Sequence, residues 1–161
     1  MKRRDLAGHK ISPKRLQDVP SFKQMKRGRL PKPFNKMGGP RYFATELISV
    51  SGTHSVLFVW GEGEILTDTK FYGYLVCGLQ NGTFSPLLEF HWHPSHKGIH
   101  IKMPCETDLD YTGRLLPGAP ELALKSVRAL DPRIHDDRVQ LITMFCRAAG
   151  IELGQADNLW N

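Results

Sequence analysis

Between Tyr42 and Met103 one pattern recurs, a run of alternating or continuous apolar residues closed by a turn signal, and it leaves little choice of fold. Residues 42–50 alternate as a strand does, Ser51-Gly-Thr-His54 turns the chain, and residues 55–60 read as a second strand. Residues 71–80 and 83–93 are two more, joined across Asn81-Gly82, a pair that signals a two-residue type I′ turn. Pro86 predicts a bulge or an unpaired edge position, because proline brings no N–H to a ladder. Residues 99–103 close the series. About five strands joined by short turns predict an antiparallel meander.

Residues 108–120, with Gly113, Pro117, Gly118 and Pro120, read as a loop, and residues 121–130 as a short helix broken at Asp131-Pro132. Asp136 is placed to cap a longer helix in which Val139, Ile142, Phe145, Cys146 and Ala149 recur at helical spacing, and Gly150 is placed to end it. The expected class is α+β: a meander packed on C-terminal helices, forming a single domain over residues 42–161.

Residues 1–41 differ in kind. They hold 13 Lys or Arg against Asp5 and Asp18, a net +11, whereas residues 42–161 carry 9 basic and 14 acidic residues, a net −5. Five prolines and few aliphatic residues predict a flexible basic arm, disordered on its own. Such a polycation suits phosphate backbones, since each neutralised phosphate releases counterions whatever the base sequence. Lys2, Arg3, Arg4, Lys14, Arg15, Lys26, Arg27 and Arg29 are the expected contacts to nucleic acid or ribonucleoprotein. A solubilising tail, or an arm docked on the acidic domain, explains the charge equally well. No run approaches the roughly 18 apolar residues of a membrane span, and no secretory signal opens the chain, so a soluble, cytoplasmic protein is expected. Cys77, Cys105 and Cys146 lack paired metal-site spacing; Cys77 and Cys146 read as small buried hydrophobes, and Cys105 stays open.

The chemical focus is His91-Trp-His-Pro-Ser-His-Lys-Gly-Ile-His100. Side chains alternate along a strand and paired residues share a face, so a four-residue loop over residues 94–97 sets the register. It pairs His93 with Gly98, Trp92 with Ile99, His91 with His100, Phe90 with Ile101, Glu89 with Lys102 and Leu88 with Met103. Glu89, His91, His93, His100 and Lys102 then share one face. Across Asn81-Gly82 the same logic sets Tyr74 opposite Glu89, Tyr72 opposite His91 and Lys70 opposite His93, with a bulge at Pro86 shifting these by one.

Three chemistries fit that face. His91, His93 and His100 converge on zinc or another divalent metal with a water in the fourth position, Glu89 acting as general base or orienting an imidazole. His96 or Cys105 as a fourth ligand would make the site structural. Alternatively two histidines act as base and acid without metal, Lys102 stabilising charge and Tyr72 positioning substrate. In the third reading the face is only a polar strand surface or a docking surface.

His91-Trp-His-Pro-Ser-His96 resembles the His-x-His-x-Asp-His of metallo-β-lactamase-type hydrolases, with Ser95 at the Asp, and His91-Trp-His-Pro94 is similar to the His-x-His-Pro of JAMM-type zinc peptidases. Each likeness spans about six residues and transfers no role. The leading expectation is a metal-dependent hydrolase of nucleic-acid phosphodiesters, a small toxin-like nuclease. Its alternatives are a non-enzymatic nucleic-acid or ribonucleoprotein-binding protein with a structural hairpin, and a metal-free His/His/Lys ribonuclease. Asp108, Asp110, Tyr111 and Arg114 follow the last strand within reach of such a face.

Overall fold

The computed structural model describes residues 8–93, 98–102 and 130–154. Its centre is a seven-stranded antiparallel sheet. In chain order the strands are β1 (Arg15–Leu16), β2 (Lys23–Gln24), β3 (Tyr42–Ala44), β4 (Ile48–Ser49), β5 (His54–Gly61), β6 (Lys70–Gly78), β7 (Phe84–His93), β8 (Gly98–Lys102) and β9 (Glu152–Leu153). The sheet runs β2-β3-β5-β6-β7-β8, with β4 also on β5, while β1 and β9 form a separate parallel pair. Helix His135–Ala149 lies between β8 and β9 in sequence. The α+β meander is as expected. The helix expected over residues 121–130 lies outside the described residues, apart from Leu130, which is buried.

The expected first strand is split, because Thr45 is buried and its hydroxyl stands in for a ladder carbonyl, accepting the Phe58 N–H at 3.1 Å. The β6–β7 connection also differs. Leu79 N–H donates to Thr83 O and Gly82 N–H to Leu79 O, with Gly82 at φ +74°, so the loop is a three-residue type I turn closed by a left-handed glycine. That turn displaces the ladder by one residue from a two-residue loop. A bulge restores it: Leu75 pairs with Leu88 but Val76 with Pro86, leaving Leu87 unopposed. The two displacements cancel before the histidines.

One sheet face carries Val56, Phe58, Phe71, Leu75, Leu88, Phe90, Trp92 and Ile101, sealed by Leu141, Ile142 and Phe145 of the helix. Phe145 meets Phe58 edge-on at 5.1 Å and Phe90 at 6.2 Å. Gly73 admits that ring: a Cβ there would lie 2.7 Å from Phe145 Cδ2. The helix begins one residue after Ile134, not at an Asp136 cap; Asp136 and Asp137 lie in its first turn, where the positive end of the helix dipole favours acids. Gly150, left-handed, ends it as expected.

The other face narrows the expectation of a flexible arm for the described residues 8–41; residues 1–7 lie outside the described residues. Met25, Leu30 and Phe34 lie buried against Ala44, Leu57, Val59, Tyr74 and Val76, a second core on the opposite side of the sheet. Phe34 packs on Tyr74 at 4.8 Å between ring centres. Leu16 enters the helix-side core, and β2 adds a strand to β3. The physical reason is that β5 is buried on both faces from Val56 to Trp60, so its outer face requires a cover. Few as they are, the apolar residues of this segment fall where they supply that cover. No described helix is long and apolar enough to cross a membrane.

Candidate functional site

The ladder brings the expected residues together. β7 and β8 pair Glu89 with Lys102, Phe90 with Ile101, His91 with His100, Trp92 with Ile99 and His93 with Gly98. β6 and β7 pair Tyr74 with Glu89 and Tyr72 with His91. Among the described residues that ladder ends at Phe71 and Trp92, and Lys70 is matched to Gly61 of β5. Met103, His96, Cys105, Asp108, Asp110, Tyr111 and Arg114 lie outside the described residues. The roles expected of His100 and Lys102 concern side chains outside the described set.

Within the face, the Glu89 carboxylate lies 3.2 Å from His91 Nε2, with the imidazole 13% and the carboxylate 32% exposed. That leaves both groups partly shielded from water, which strengthens the pair. Tyr72 stands edge-on to both imidazoles, 4.8 Å from His91 and 5.3 Å from His93 between ring centres, and the two imidazoles are 5.8 Å apart. Tyr74 lies 6.1 Å from His91. Burial, then the neighbouring Tyr42, pushes the Tyr72 phenol up to about 12. Burial, then the Glu89 carboxylate, raises Tyr74 as well. Both phenols keep their protons at neutral pH and remain hydrogen-bond donors.

The cations expected to contact phosphate separate into two groups. Arg15, Lys26, Arg27 and Arg29 are exposed, and Lys26 to Arg29 sit on the segment that covers the outer face, between buried Met25 and Leu30. Lys14 is a correction. It is buried, and its Nζ donates to the carbonyls of His9 at 2.5 Å, Lys10 at 3.0 Å and Ser12 at 2.7 Å, so it closes the helical turn at residues 8–11 instead of meeting solvent. Burial lowers its pKa. Lys2, Arg3 and Arg4 lie outside the described residues.

A second cluster escaped the sequence reading. His9 Nδ1 lies 2.9 Å from His54 Nε2, and His54 Nδ1 contacts the hydroxyls of Ser51 at 2.8 Å and Thr53 at 3.0 Å. Cys77 joins them: one donor atom from each of His9, His54 and Cys77 lies within 4.8 Å of the others. Cys77 is half-buried, not the buried hydrophobe expected, whereas Cys146 is fully buried, with its thiol pushed up to about 12 by burial. His9 and His54 are 45 residues apart, too far for any local spacing rule. Only the pairing of His54 with Cys77 across β5 and β6 was within reach of a register argument. No family model, curated protein or solved structure matches this chain.

Proposed function

We propose that the chain is a metal-dependent hydrolase of nucleic-acid phosphodiesters, with a zinc-type ion held by His91, His93 and His100. The observation that carries the reading is the Glu89–His91–His93 arrangement. Two imidazoles on one tetrahedral zinc, each nitrogen about 2.0–2.1 Å from the ion, have ring centres roughly 5 Å apart. His91 and His93 stand at 5.8 Å, within a small side-chain rotation of that value. Glu89, 3.2 Å from His91 Nε2, would accept a hydrogen bond from an Nε2–H tautomer, which leaves the Nδ1 lone pair for an ion. Of the two roles expected of Glu89, orienting the imidazole fits this contact better than serving as base.

An ion held by His91, His93 and His100 would supply a nucleophile for a phosphodiester by making water more acidic. The protonated phenol of Tyr72, half-buried beside both imidazoles, is placed to donate to a phosphate oxygen. Lys26, Arg27 and Arg29 supply exposed positive charge on the segment lying over the same sheet face. Those cations also support the alternative in which nucleic acid is bound and not cut.

Incubating the full chain with labelled RNA, single-stranded DNA and duplex DNA, with zinc or manganese and with chelator, tests the reading. Chelator-sensitive cleavage that disappears in His91→Ala/His93→Ala is expected, and Glu89→Gln should lower it by about 10–100-fold. Binding without cleavage of any substrate would leave the non-enzymatic alternative. Cleavage indifferent to chelator would favour the metal-free His/His/Lys reading.

A further inference from the structure

The two histidine clusters occupy opposite faces and opposite ends of the sheet. Tyr72 and Tyr74 are matched to Val59 and Leu57 of β5, whereas His54 shares the parity of Val56 and Phe58, on the helix side. Along β6, Cys77 is five residues from Tyr72, about 17 Å at the rise of a strand. One ion cannot serve both.

We propose that His9, His54 and Cys77 form a second, thiolate-containing site for a zinc-type cation, which fastens the N-terminal segment to one end of the central strands β5 and β6. His54 and Cys77 are directly paired residues of β5 and β6, so their side chains leave the same face side by side. His9 is brought over them by the helical turn at residues 8–11, whose final carbonyls are gathered by the buried Lys14 ammonium. That turn is held from the other side, where Gly150 abuts the Lys10 carbonyl, leaving 2.5 Å to a would-be Cβ.

One of the three donors, the His54 ring, is held in a fixed orientation. Ser51 and Thr53 occupy His54 Nδ1 and fix its ring, so that Nε2 points at His9 Nδ1. A tetrahedral site with two nitrogens and one sulfur sets its donor atoms roughly 3.3–3.8 Å apart. The three here lie within 4.8 Å, so the widest separation has to close by up to about 1 Å while the 2.9 Å contact between the imidazoles opens by a few tenths of an ångström. Two imidazoles with a thiolate select zinc or cobalt over magnesium or calcium. Lys14 is the neighbouring positive charge that opposes a cation; its ammonium is turned onto three carbonyls, and the Cys77 thiolate supplies a compensating negative charge. Half-buried Cys77 leaves the ion a way in.

The test uses the full chain, reduced and stripped of metal, titrated with cobalt. Only a thiolate ligand gives the near-ultraviolet sulfur-to-cobalt charge-transfer band, so this signal separates the site from the all-histidine set of the hairpin. We expect the band at one equivalent, abolished in Cys77→Ser, kept in His91→Ala/His93→Ala and in Cys105→Ser, and shifted at least tenfold in midpoint by His9→Ala. Zinc should also slow alkylation of Cys77 in the unaltered protein at least tenfold by peptide mapping, a readout that needs no variant to fold. No band at saturating cobalt, a band that survives Cys77→Ser, or alkylation of Cys77 indifferent to zinc would each overturn the proposal. Failure of the hairpin to bind metal would leave all three readouts intact.

Discussion

The two faces of the sheet are covered in different ways. On the helix side, Phe58, Phe71, Phe90 and Ile101 are fully buried or nearly so under Leu141, Ile142 and Phe145, and the apolar surface is continuous from β5 to β8. On the other side, Met25, Leu30 and Phe34 cover Leu57, Val59 and Val76, and the cover reaches Tyr74. Beyond Tyr74 come half-buried Tyr72, Glu89, His91 and His93. The helix, together with Leu16, Leu130 and Ile151, fills the core on one face. A short irregular segment seals part of the other, and the polar residues gather where it stops.

Removing the keystone of the helix side tests that contrast most severely. Phe145→Ala should cost about 3–5 kcal/mol by urea denaturation, without changing the metal content of the folded protein. Phe34→Ala, on the other face, should cost nearer the low end, about 3 kcal/mol, and should also move the NMR resonances of His91 through Tyr74. A cost below about 0.5 kcal/mol, the range of ordinary surface substitutions, would mean that the N-terminal segment does not form a second core. The double variant His91→Ala/His93→Ala should lose at least about 100-fold in cleavage rate, roughly 2.7 kcal/mol of transition-state stabilisation, while melting within a few degrees of the unaltered chain.

Gly73→Ala should destabilise by about 1–3 kcal/mol, because its Cβ meets Phe145 from the helix side. An unchanged denaturation midpoint would show that the helix stands further from β6. The smallest effect belongs to the charged cover of the outer face. Lys26→Ala/Arg27→Ala/Arg29→Ala should weaken binding to any nucleic acid without regard to sequence, and flatten the dependence of log affinity on log salt by about 0.9 per lost duplex phosphate contact. An unaltered slope would remove these cations from the interface.

The hairpin was legible from residues alone because a strand has a period of two: once His93 meets Gly98, every pairing back to Glu89 follows. The pairing of Tyr72 and Tyr74 was legible for a less general reason. The loop at Asn81-Gly82 and the bulge at Leu87 each displace the ladder by one residue, in opposite senses, and neither would have given the right register alone. The outer core had a signal too, since Val56-Leu-Phe-Val-Trp60 does not alternate, and a strand without alternation is covered on both sides.

What the residues determined by themselves is therefore local: strands, the helix stripe ending at Gly150, and the face on which Glu89, His91 and His93 meet. Those follow from side-chain periodicity and turn chemistry, which act over a few residues. Tertiary structure decided what covers the outer face, that Lys14 turns inward, and that His9 meets His54 and Cys77. These depend on which distant segment lowers its free energy most against an already formed surface, and no spacing along the chain encodes that choice.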